Sequence, residues 1–409
     1  MSWLLPPLEP TYSAALRDVN ATGVEARVAA AQRLARPDAG DDKRAVEGLL
    51  KLAADADPRV RCAAIVSLAR LDDTDLVREQ GMCTVLARFE DADPHVRELA
   101  VIAAAQVAGA SSFEALRRAL GSPHPEVRFQ AAAGIAEVAP SETLAELPPL
   151  LRDGDAEVRA NAARALGSLA RADHQARAAP HMRNRLAEAP ATGADARGPD
   201  EKACWLEQGS LAQIRQLLRA ALDDTDRAVR REAALGLGRL QQDEALFELC
   251  DALEDPSYGQ EAAEVLGTLA DARATEPLAR VAASMLKPVS LRIASARSLI
   301  LLGDQRGIDG LKRVLRGWRS AGRSYAAEVA GELEVVELAD SLARLATRPR
   351  GSDPVVVARA LAKLASRSEP ALRALERLAS HHGEAAEVAR AALESIAAGE
   401  CLAQAALRA

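Results

Sequence analysis

Apolar residues recur along most of the chain with the spacing of amphipathic α-helices, and these helices come in pairs. The pattern is clear at Val60-Arg61-x-x-Ala64-x-x-x-Leu68, where Val60, Ala64 and Leu68 share one face of a helix with 3.6 residues per turn. A second amphipathic segment precedes this one, and similar pairs follow from about residue 22 to residue 398. The pattern therefore predicts a stack of two-helix repeats that share one continuous core.

Aligning the repeats on Arg61 gives eleven copies, and three columns of the alignment carry most of the signal. The residue three positions after the arginine is small in every copy, which allows neighbouring helices to approach closely. The residue seven positions after it is aliphatic in every copy, and the arginine itself is present in eight of the eleven. The residues in the arginine column are Arg27, Arg61, Arg97, Arg128, Arg159, Arg230, Gly259, Arg292, Arg323, Val357 and Ala389.

The turns between the helices also repeat, and one interval is longer than the others. Asp-Pro pairs such as Asp57-Pro58 and Asp93-Pro94 precede the second helix, where aspartate favours the N-cap and proline the first turn. The 71 residues between Arg159 and Arg230 predict one repeat plus an insertion. Within that insertion, residues 189–199 are typical of a loop, and residues 182–186 and 204–206 are predicted as short helices. The predicted organisation is an N-terminal segment with a capping helix (1–21), repeats (22–170), the insertion (171–209), and further repeats with a cap (210–409).

The sequence Asp226-x-x-Val229-Arg230-Arg231-x-Ala233-x-x-x-Leu237-Gly238 resembles the short HEAT-like repeats first described in phycobilin lyases. The resemblance implies an all-α fold, a right-handed α-solenoid of about eleven HEAT-like helix pairs. In that family the aspartate of one turn commonly bonds the arginine of a neighbouring repeat. The resemblance therefore implies that the arginine column forms a structural ladder rather than a ligand site. The residues of this ladder are Arg61, Arg97, Arg128, Arg159, Arg230 and Arg292. Scaffolds, adaptors and a few enzymes share these repeats, so the resemblance alone does not select a function.

Composition restricts the compartment and the class of partner. Aromatic residues make up 2% of the chain and apolar residues 49%, so the core is expected to consist of alanine, leucine and valine. The net charge of -7 argues against non-specific binding to phosphate backbones. The five cysteines lie far apart without a C-x-x-C pair, which favours a reducing cytoplasm over a disulfide framework or a zinc site. We expect neither a secretory signal at residues 1–10 nor a membrane-spanning segment.

Motifs for catalysis are missing from the sequence. It contains no G-x-S-x-G elbow, no phosphate-binding glycine loop followed by lysine, and no G-x-G-x-x-G. The deoxyhypusine hydroxylase branch of the family needs His-Glu pairs to bind iron, and this chain has no His-Glu dipeptide. The single local candidate for a metal is His381-His382-Gly383-Glu384, but adjacent helical side chains diverge by about 100°. We therefore predict no catalytic residue, no metal site and no cofactor.

Three surfaces are candidates for binding a partner. On the second helices, positions one and five residues after the arginine column are predicted to be exposed on a concave face. They are apolar in the early repeats (Cys62, Val66, Ile102, Phe129 and Ala133) and mostly charged later (Arg231, Glu264, Arg297, Glu328, Arg359 and Glu394). The insertion offers Trp205 as a further contact. A basic patch is formed by Arg306, Lys312, Arg313, Arg316, Trp318, Arg319 and Arg323, which face the single acid Asp309.

Each surface has more than one interpretation. The apolar row suits an amphipathic helix or an extended peptide, and its alternative is burial between neighbouring helices. The basic patch suits an acidic protein segment or, as in HEAT-like DNA glycosylases, nucleic acid. An acidic partner is favoured over DNA, and a plain solvated helix over either. The leading hypothesis is a non-enzymatic, monomeric, cytoplasmic scaffold or adaptor that holds a partner protein on the concave face. A lyase-like or other enzyme accessory subunit that binds a small molecule, and a nucleic-acid-binding protein, are the alternatives.

Overall fold

The eleven repeats predicted from the sequence are present as eleven pairs of helices. The computed structural model describes residues 10–36, 42–71, 80–106, 110–138, 140–186, 208–317 and 322–408. These residues form 22 α-helices joined by turns and short 3-10 segments, and they contain no strand. The all-α prediction and the assignment of helix pairs are thereby confirmed.

The first compact unit is Met1–Gly236 and contains six helix pairs, the last of which extends three residues beyond it, to Arg239. In each pair we call the first helix A and the second helix B. Within this unit the first five B helices pack in succession. Gly236 of the sixth lies against Gly167 of the fifth, so the B helices form one continuous layer. The A and B helices are α1 (Tyr12–Asp18) and α2 (Val24–Leu34), α3 (Asp42–Leu52) and α4 (Pro58–Leu68), α5 (Met82–Ala87) and α6 (Pro94–Gln106), α7 (Ala110–Ala119) and α8 (Pro125–Val138), α9 (Pro140–Glu146) and α10 (Ala156–Leu186), and α11 (Gln208–Ala221) and α12 (Arg227–Arg239).

The second compact unit is Leu237–Ala409 and contains the remaining five pairs. Its B helices also pack in succession, and each A helix packs against the B helix of its own pair. The pairs are α13 (Leu246–Ala252) and α14 (Gly259–Leu269), α15 (Thr275–Ala283) and α16 (Val289–Leu301), α17 (Gln305–Arg316) and α18 (Arg323–Glu332), α19 (Ala339–Thr347) and α20 (Pro354–Leu364), and α21 (Glu369–Ala379) and α22 (Glu384–Arg408).

Local sequence explains where the B helices begin and how closely they pack. Asp57 is the N-cap of α4: its Oδ1 accepts a hydrogen bond from the Arg59 amide at 2.9 Å, and Pro58 is the first helical residue. Asp353 caps α20 in the same way, through the Val355 amide at 2.8 Å. The small column is buried between helices: Ala131 and others in it have no exposed surface. Capping therefore starts each of these helices, and small residues let adjacent B helices pack closely.

The arginine column of the first unit forms a ladder of ion pairs between consecutive repeats. In one example, Arg128 Nε and Nη2 each donate to a carboxylate oxygen of Asp153 at 2.7 Å, and Nη1 donates to the carbonyl of Ser122 at 2.8 Å. The acid is generally not the N-cap aspartate but the residue two positions before it: Asp91 binds Arg61, whereas Asp93 caps α6. The five pairs are Arg27–Asp55, Arg61–Asp91, Arg97–Glu126, Arg128–Asp153 and Arg159–Asp224.

In the second unit only two of the five positions in the arginine column, Arg292 and Arg323, are arginine, and the acidic column is missing. Arg292 and Arg323 are 9% and 1% exposed. Glycine occupies the position of the ladder acid at Gly317 and Gly351, the residues that would face Arg292 and Arg323. Arg323 instead donates to the carbonyls of Gly317 and Arg350. The other three positions of the column are Gly259, Val357 and Ala389, so arginine itself is rarer in this unit.

Acidification is expected to loosen the first unit before the second. Hydrogen bonds from the ladder arginines hold the pKa values of Asp55, Asp153 and Asp224 below their usual range. A folded-state pKa below the unfolded value stabilises the fold above about pH 4, and that contribution is lost as the pH falls through the folded pKa. In the second unit, the aspartates with a lowered pKa, Asp271 and Asp304, bind arginines of their own exposed turns.

The measurement is hydrogen exchange by mass spectrometry between about pH 7 and pH 3, corrected for the intrinsic exchange rate. Peptides from residues 42–170 should lose protection at a higher pH than peptides from residues 270–365. Simultaneous loss in both units would show that the ladder acids do not determine acid sensitivity.

The insertion differs from its predicted form in one respect. The fifth B helix, α10, is 31 residues long and continues to Leu186. Residues 171–186 therefore extend an existing helix, and 182–186 is its last part rather than a separate short helix. Residues 187–207, which include the predicted loop and Trp205, lie outside the described residues. The boundary between the compact units falls after Gly236, so the pair that follows the insertion belongs with the first five pairs.

Candidate functional site

An apolar groove crosses three B helices of the first unit, and we call it the B-helix groove. It has a volume of about 510 Å³ and lies over α2, α4 and α6. Val28 of α2, Cys62 and Val66 of α4, and Leu99 of α6 contribute its larger apolar side chains, and Ala63 leaves space between them. Because small residues let the three helices pack closely, side chains distant in sequence meet on this surface.

Charged and polar groups surround the apolar floor of the B-helix groove. Gln32, Arg59, Arg70, Asp93 and His95 also line it. Arg59 binds Glu25 at 2.8 Å and Asp57 at 3.3 Å, while His95 Nδ1 lies 3.6 Å from the carboxylate of Glu98. An apolar floor with a rim of both charge signs is typical of a surface that receives part of another protein.

Cys62 contributes an uncharged thiol to the floor. Burial raises the pKa of Cys62 to about 11, and the nearby carboxylate of Asp93 acts in the same direction. At neutral pH the side chain is therefore a thiol, which is a poor nucleophile and a poor metal ligand. It acts in the groove as a small apolar group.

The structure separates the predicted apolar row into two parts. Cys62 and Val66 line the groove, whereas Ile102 on α6 and Phe129 on α8 are half-buried and lie outside its lining. The Phe129 carbonyl accepts a hydrogen bond from Asn161 Nδ2 at 2.6 Å, which ties α8 to α10. Sequence reasoning missed Val28 and Leu99. Val28 is one residue after Arg27 and follows the same positional rule as Cys62, so the rule applied to the first repeat identifies it.

The charged positions of the later repeats are less uniform than predicted. The expectation that Arg231 is exposed is wrong, because the residue is 5% exposed. Glu264 and Arg297 are half-buried, while Glu328, Arg359 and Glu394 are exposed. Arg297 Nε lies 3.9 Å from Glu332, and burial together with Glu264 raises the pKa of Tyr325.

The structure leaves fewer residues in the basic patch than the sequence predicts. Arg306 is engaged by Asp304 at 2.9 Å and Glu276 at 2.8 Å. Arg323 is buried, and Trp318 and Arg319 lie outside the described residues. The cations that remain together on α17 are Lys312, Arg313 and Arg316.

The candidate metal cluster does not form a site. Among the described residues, no group of three or more His, Cys, Asp or Glu side chains converges as metal ligands would. His381 and His382 are exposed, and His381 Nδ1 lies 2.7 Å from the Arg377 carbonyl. Among all the residues that the structure describes, no helix is long and apolar enough to cross a membrane.

Comparison with known proteins identifies the repeats. The family model for HEAT repeats matches residues 82–139, 114–196 and 205–263, and no curated protein sequence matches the chain. Similar solved structures include YibA of E. coli, with 18% identity over 72% of this chain and 93% of that chain and a TM-score of 0.46. They also include the CpcE–CpcF complex of phycocyanin lyase from Nostoc sp. PCC7120, with 20% identity over 64% and 92% and a TM-score of 0.38. The third is human deoxyhypusine hydroxylase in complex with glycerol, with 20% identity over 70% and 95% and a TM-score of 0.29.

The HEAT repeats are visible both in the matched sequence segments and in the helix pairs of the fold. The matched segments cover the B helices α6, α8, α10 and α12, which carry both the small column and the arginine column, and the start of α14. The same pair of helices recurs before and after them, from α1 to α22. The chain therefore contains HEAT repeats, which the family model matches over residues 82–196 and 205–263.

Proposed function

We propose that the protein is a non-enzymatic cytoplasmic scaffold that holds an amphipathic helix of a partner protein in the B-helix groove. The observation that carries the proposal is the apolar floor of Val28, Cys62, Val66 and Leu99, gathered from three consecutive repeats and left open to solvent. Scattered cysteines without a disulfide pattern support a reducing compartment.

The shape and chemistry of the groove favour a helix over a small molecule. A small-molecule site usually encloses its ligand and directs a few polar groups at it. In this groove most of the polar side chains are exposed to solvent, and Arg59 is already bound to Glu25 and Asp57. A helix that presents apolar residues at i, i+3, i+4 and i+7 can cover such a floor. Each apolar Å² removed from water contributes about 25 cal/mol before the cost of association.

The variant Val66→Asp is expected to weaken capture of the partner by about tenfold or more, because it buries a carboxylate beneath an apolar side chain of the partner. Val66 is half-buried on the surface of α4, so helicity should be retained. The measurement is quantitative affinity capture from the native cytoplasm, with far-UV circular dichroism of each variant.

A matched control and a local probe make this test specific. Val356→Asp places the same change at a half-buried valine of α20 in the second unit and should leave capture unchanged. A photo-crosslinking residue at position 66 or 99 should label the partner, and one at exposed position 376 should not. Undiminished capture by Val66→Asp, or labelling only from position 376, would remove the groove as the binding site. Purification of a coloured ligand with the chain would favour a lyase-like accessory role.

A further inference from the structure

A second cavity lies in the second unit, on the A helix α17. It has a volume of about 380 Å³ and is lined by Asp309, Lys312, Arg313, Arg316 and Gly317. Three cations therefore share it with one acid. Arg313 and Arg316 are exposed and Lys312 is half-exposed, so all three can reach a ligand in the cavity.

The three cations keep their charge available, unlike their neighbour Arg306. Arg306 binds two carboxylates, those of Asp304 and Glu276. Arg313 Nε donates to the backbone carbonyl of Asp309 at 3.3 Å, and Arg316 Nε donates to Ser341 Oγ at 3.1 Å. These bonds orient the two guanidinium groups without neutralising them. Within the described residues, none of the three cavity cations forms an ion pair with a carboxylate.

A buried positive charge lies directly behind the cavity. Arg323 is 1% exposed, and its Nη2 donates to the carbonyl of Gly317, a cavity residue, at 2.6 Å. In the first unit a ladder arginine binds an acid of the next turn, but here Gly351 occupies that position. Nε of Arg323 has no hydrogen-bond partner among the described residues. Because a charge away from water is screened less than an exposed one, it adds to the positive potential in the cavity.

The negative end of a helix dipole does not explain this arrangement. Cations in the last turn of a helix are stabilised by the helix dipole, which accounts for Arg313 and Arg316 near the end of α17. Arg323, however, is the first residue of α18, where the dipole is positive and a cation is disfavoured. Arg323 therefore lacks the carboxylate of a ladder pair and also lies at the unfavourable end of a helix dipole, so neither of these compensates its positive charge.

We propose that this α17 cavity binds a carboxylate-rich segment of a partner protein. The planar guanidinium groups of Arg313 and Arg316 match carboxylates in bidentate geometry. Lys312 to Arg316 spans only about 6 Å of helix, which suits two or three acidic side chains. Strong binding to nucleic acid typically uses a track of about six to ten phosphate contacts, and the net charge of -7 opposes it.

The test is direct binding of a fluorescent octaglutamate peptide to the full chain, measured by anisotropy at low and moderate salt. The triple variant Lys312→Glu, Arg313→Glu and Arg316→Glu should weaken binding by about tenfold or more, because it reverses the charge of the cavity. The control triple variant, Lys363→Glu, Arg377→Glu and Arg390→Glu, changes the net charge by the same amount at exposed positions of α20, α21 and α22. It should change binding by less than about twofold.

Three outcomes would overturn the proposal. Equal losses in the two triple variants would reduce the effect to net charge. No measurable binding of the peptide to the unmodified chain at low salt would exclude the cavity as an acidic-segment site. A single-stranded oligonucleotide that binds more tightly than the peptide, and is lost only in the cavity variant, would assign the cavity to nucleic acid. The peptide assay does not involve the B-helix groove, so its failure leaves the scaffold proposal to its own test.

Discussion

Replacing Arg128 with methionine is expected to lower the free energy of unfolding of the first unit by about 3 kcal/mol. The side chains of Arg128 and Asp153 are 18% and 10% exposed, so the pair is largely removed from water. Methionine fills part of the volume but leaves Asp153 without its counterion and the Ser122 carbonyl without its donor. A buried charge that has lost its partner costs more than the intact pair contributed.

A double-mutant cycle separates the ion pair from the effect of changed packing. Asp153→Asn keeps an acceptor for the Asp155 amide, which now donates to Asp153 at 2.9 Å. The double variant Arg128→Met, Asp153→Asn should be more stable than the sum of the single losses by about 1 kcal/mol or more. The measurement is urea unfolding followed by far-UV circular dichroism, with hydrogen exchange to assign the loss to residues 110–170.

Arg152→Met provides the matched control for the ladder arginine. Arg152 precedes Asp153 in the chain and is exposed, so its replacement should change stability by less than about 0.5 kcal/mol. If Arg128→Met and Arg152→Met unfold at the same urea concentration, the ladder does not stabilise the stack. A loss in Arg128→Met with no coupling to Asp153 would instead assign the effect to packing of the arginine stem.

The eleven helix pairs could be predicted because each repeat carries the same local information. Val60, Ala64 and Leu68 and their equivalents set the period, and caps such as Asp57 set the start of each B helix. A repeat that departs from the pattern at one position is still recognised, because the other repeats define the pattern. The ladder acid was expected from the family resemblance, but its position two residues before the cap depends on the three-dimensional path of the turn.

Surface properties were harder to predict because they depend on residues far apart in sequence. Arg231 occupies a position that the helical period assigns to the exposed side, yet neighbouring helices leave it 5% exposed. Leu99 lies two residues after Arg97, outside the positions examined for the groove, and it lines the floor because α6 packs beside α4. Arg306 has one partner next to it in sequence, Asp304, and a second, Glu276, that is 30 residues away and that the sequence does not reveal. Hydrophobic periodicity and helix propensity describe each helix separately, whereas a binding surface is formed by several helices that pack together.

Gly331→Ala is expected to destabilise the second unit by about 1–3 kcal/mol through overpacking. A Cβ atom at Gly331 would lie 2.7 Å from Cα and 3.0 Å from Cβ of Ala360, so α18 and α20 would have to separate. The obstacle is backbone and a single methyl group, which cannot turn aside. Alanine in a helix otherwise stabilises it by up to about 1 kcal/mol relative to glycine, so a net loss would reveal the cost of the close approach.

Gly154→Ala is the control, because no atom lies within 4 Å of the added Cβ. The free energy of unfolding of this variant should lie within about 0.5 kcal/mol of that of the parent chain. Both variants are measured by urea unfolding, and hydrogen exchange over residues 322–365 locates the loss in Gly331→Ala. A Gly331→Ala protein as stable as the parent would mean that α18 and α20 can separate at little cost. The small column would then be a consequence of composition rather than the feature that sets the spacing of the B helices. A clear loss of stability in Gly331→Ala alone would show that single methyl groups set the spacing of adjacent B helices. The form of each surface that spans adjacent B helices depends on that spacing.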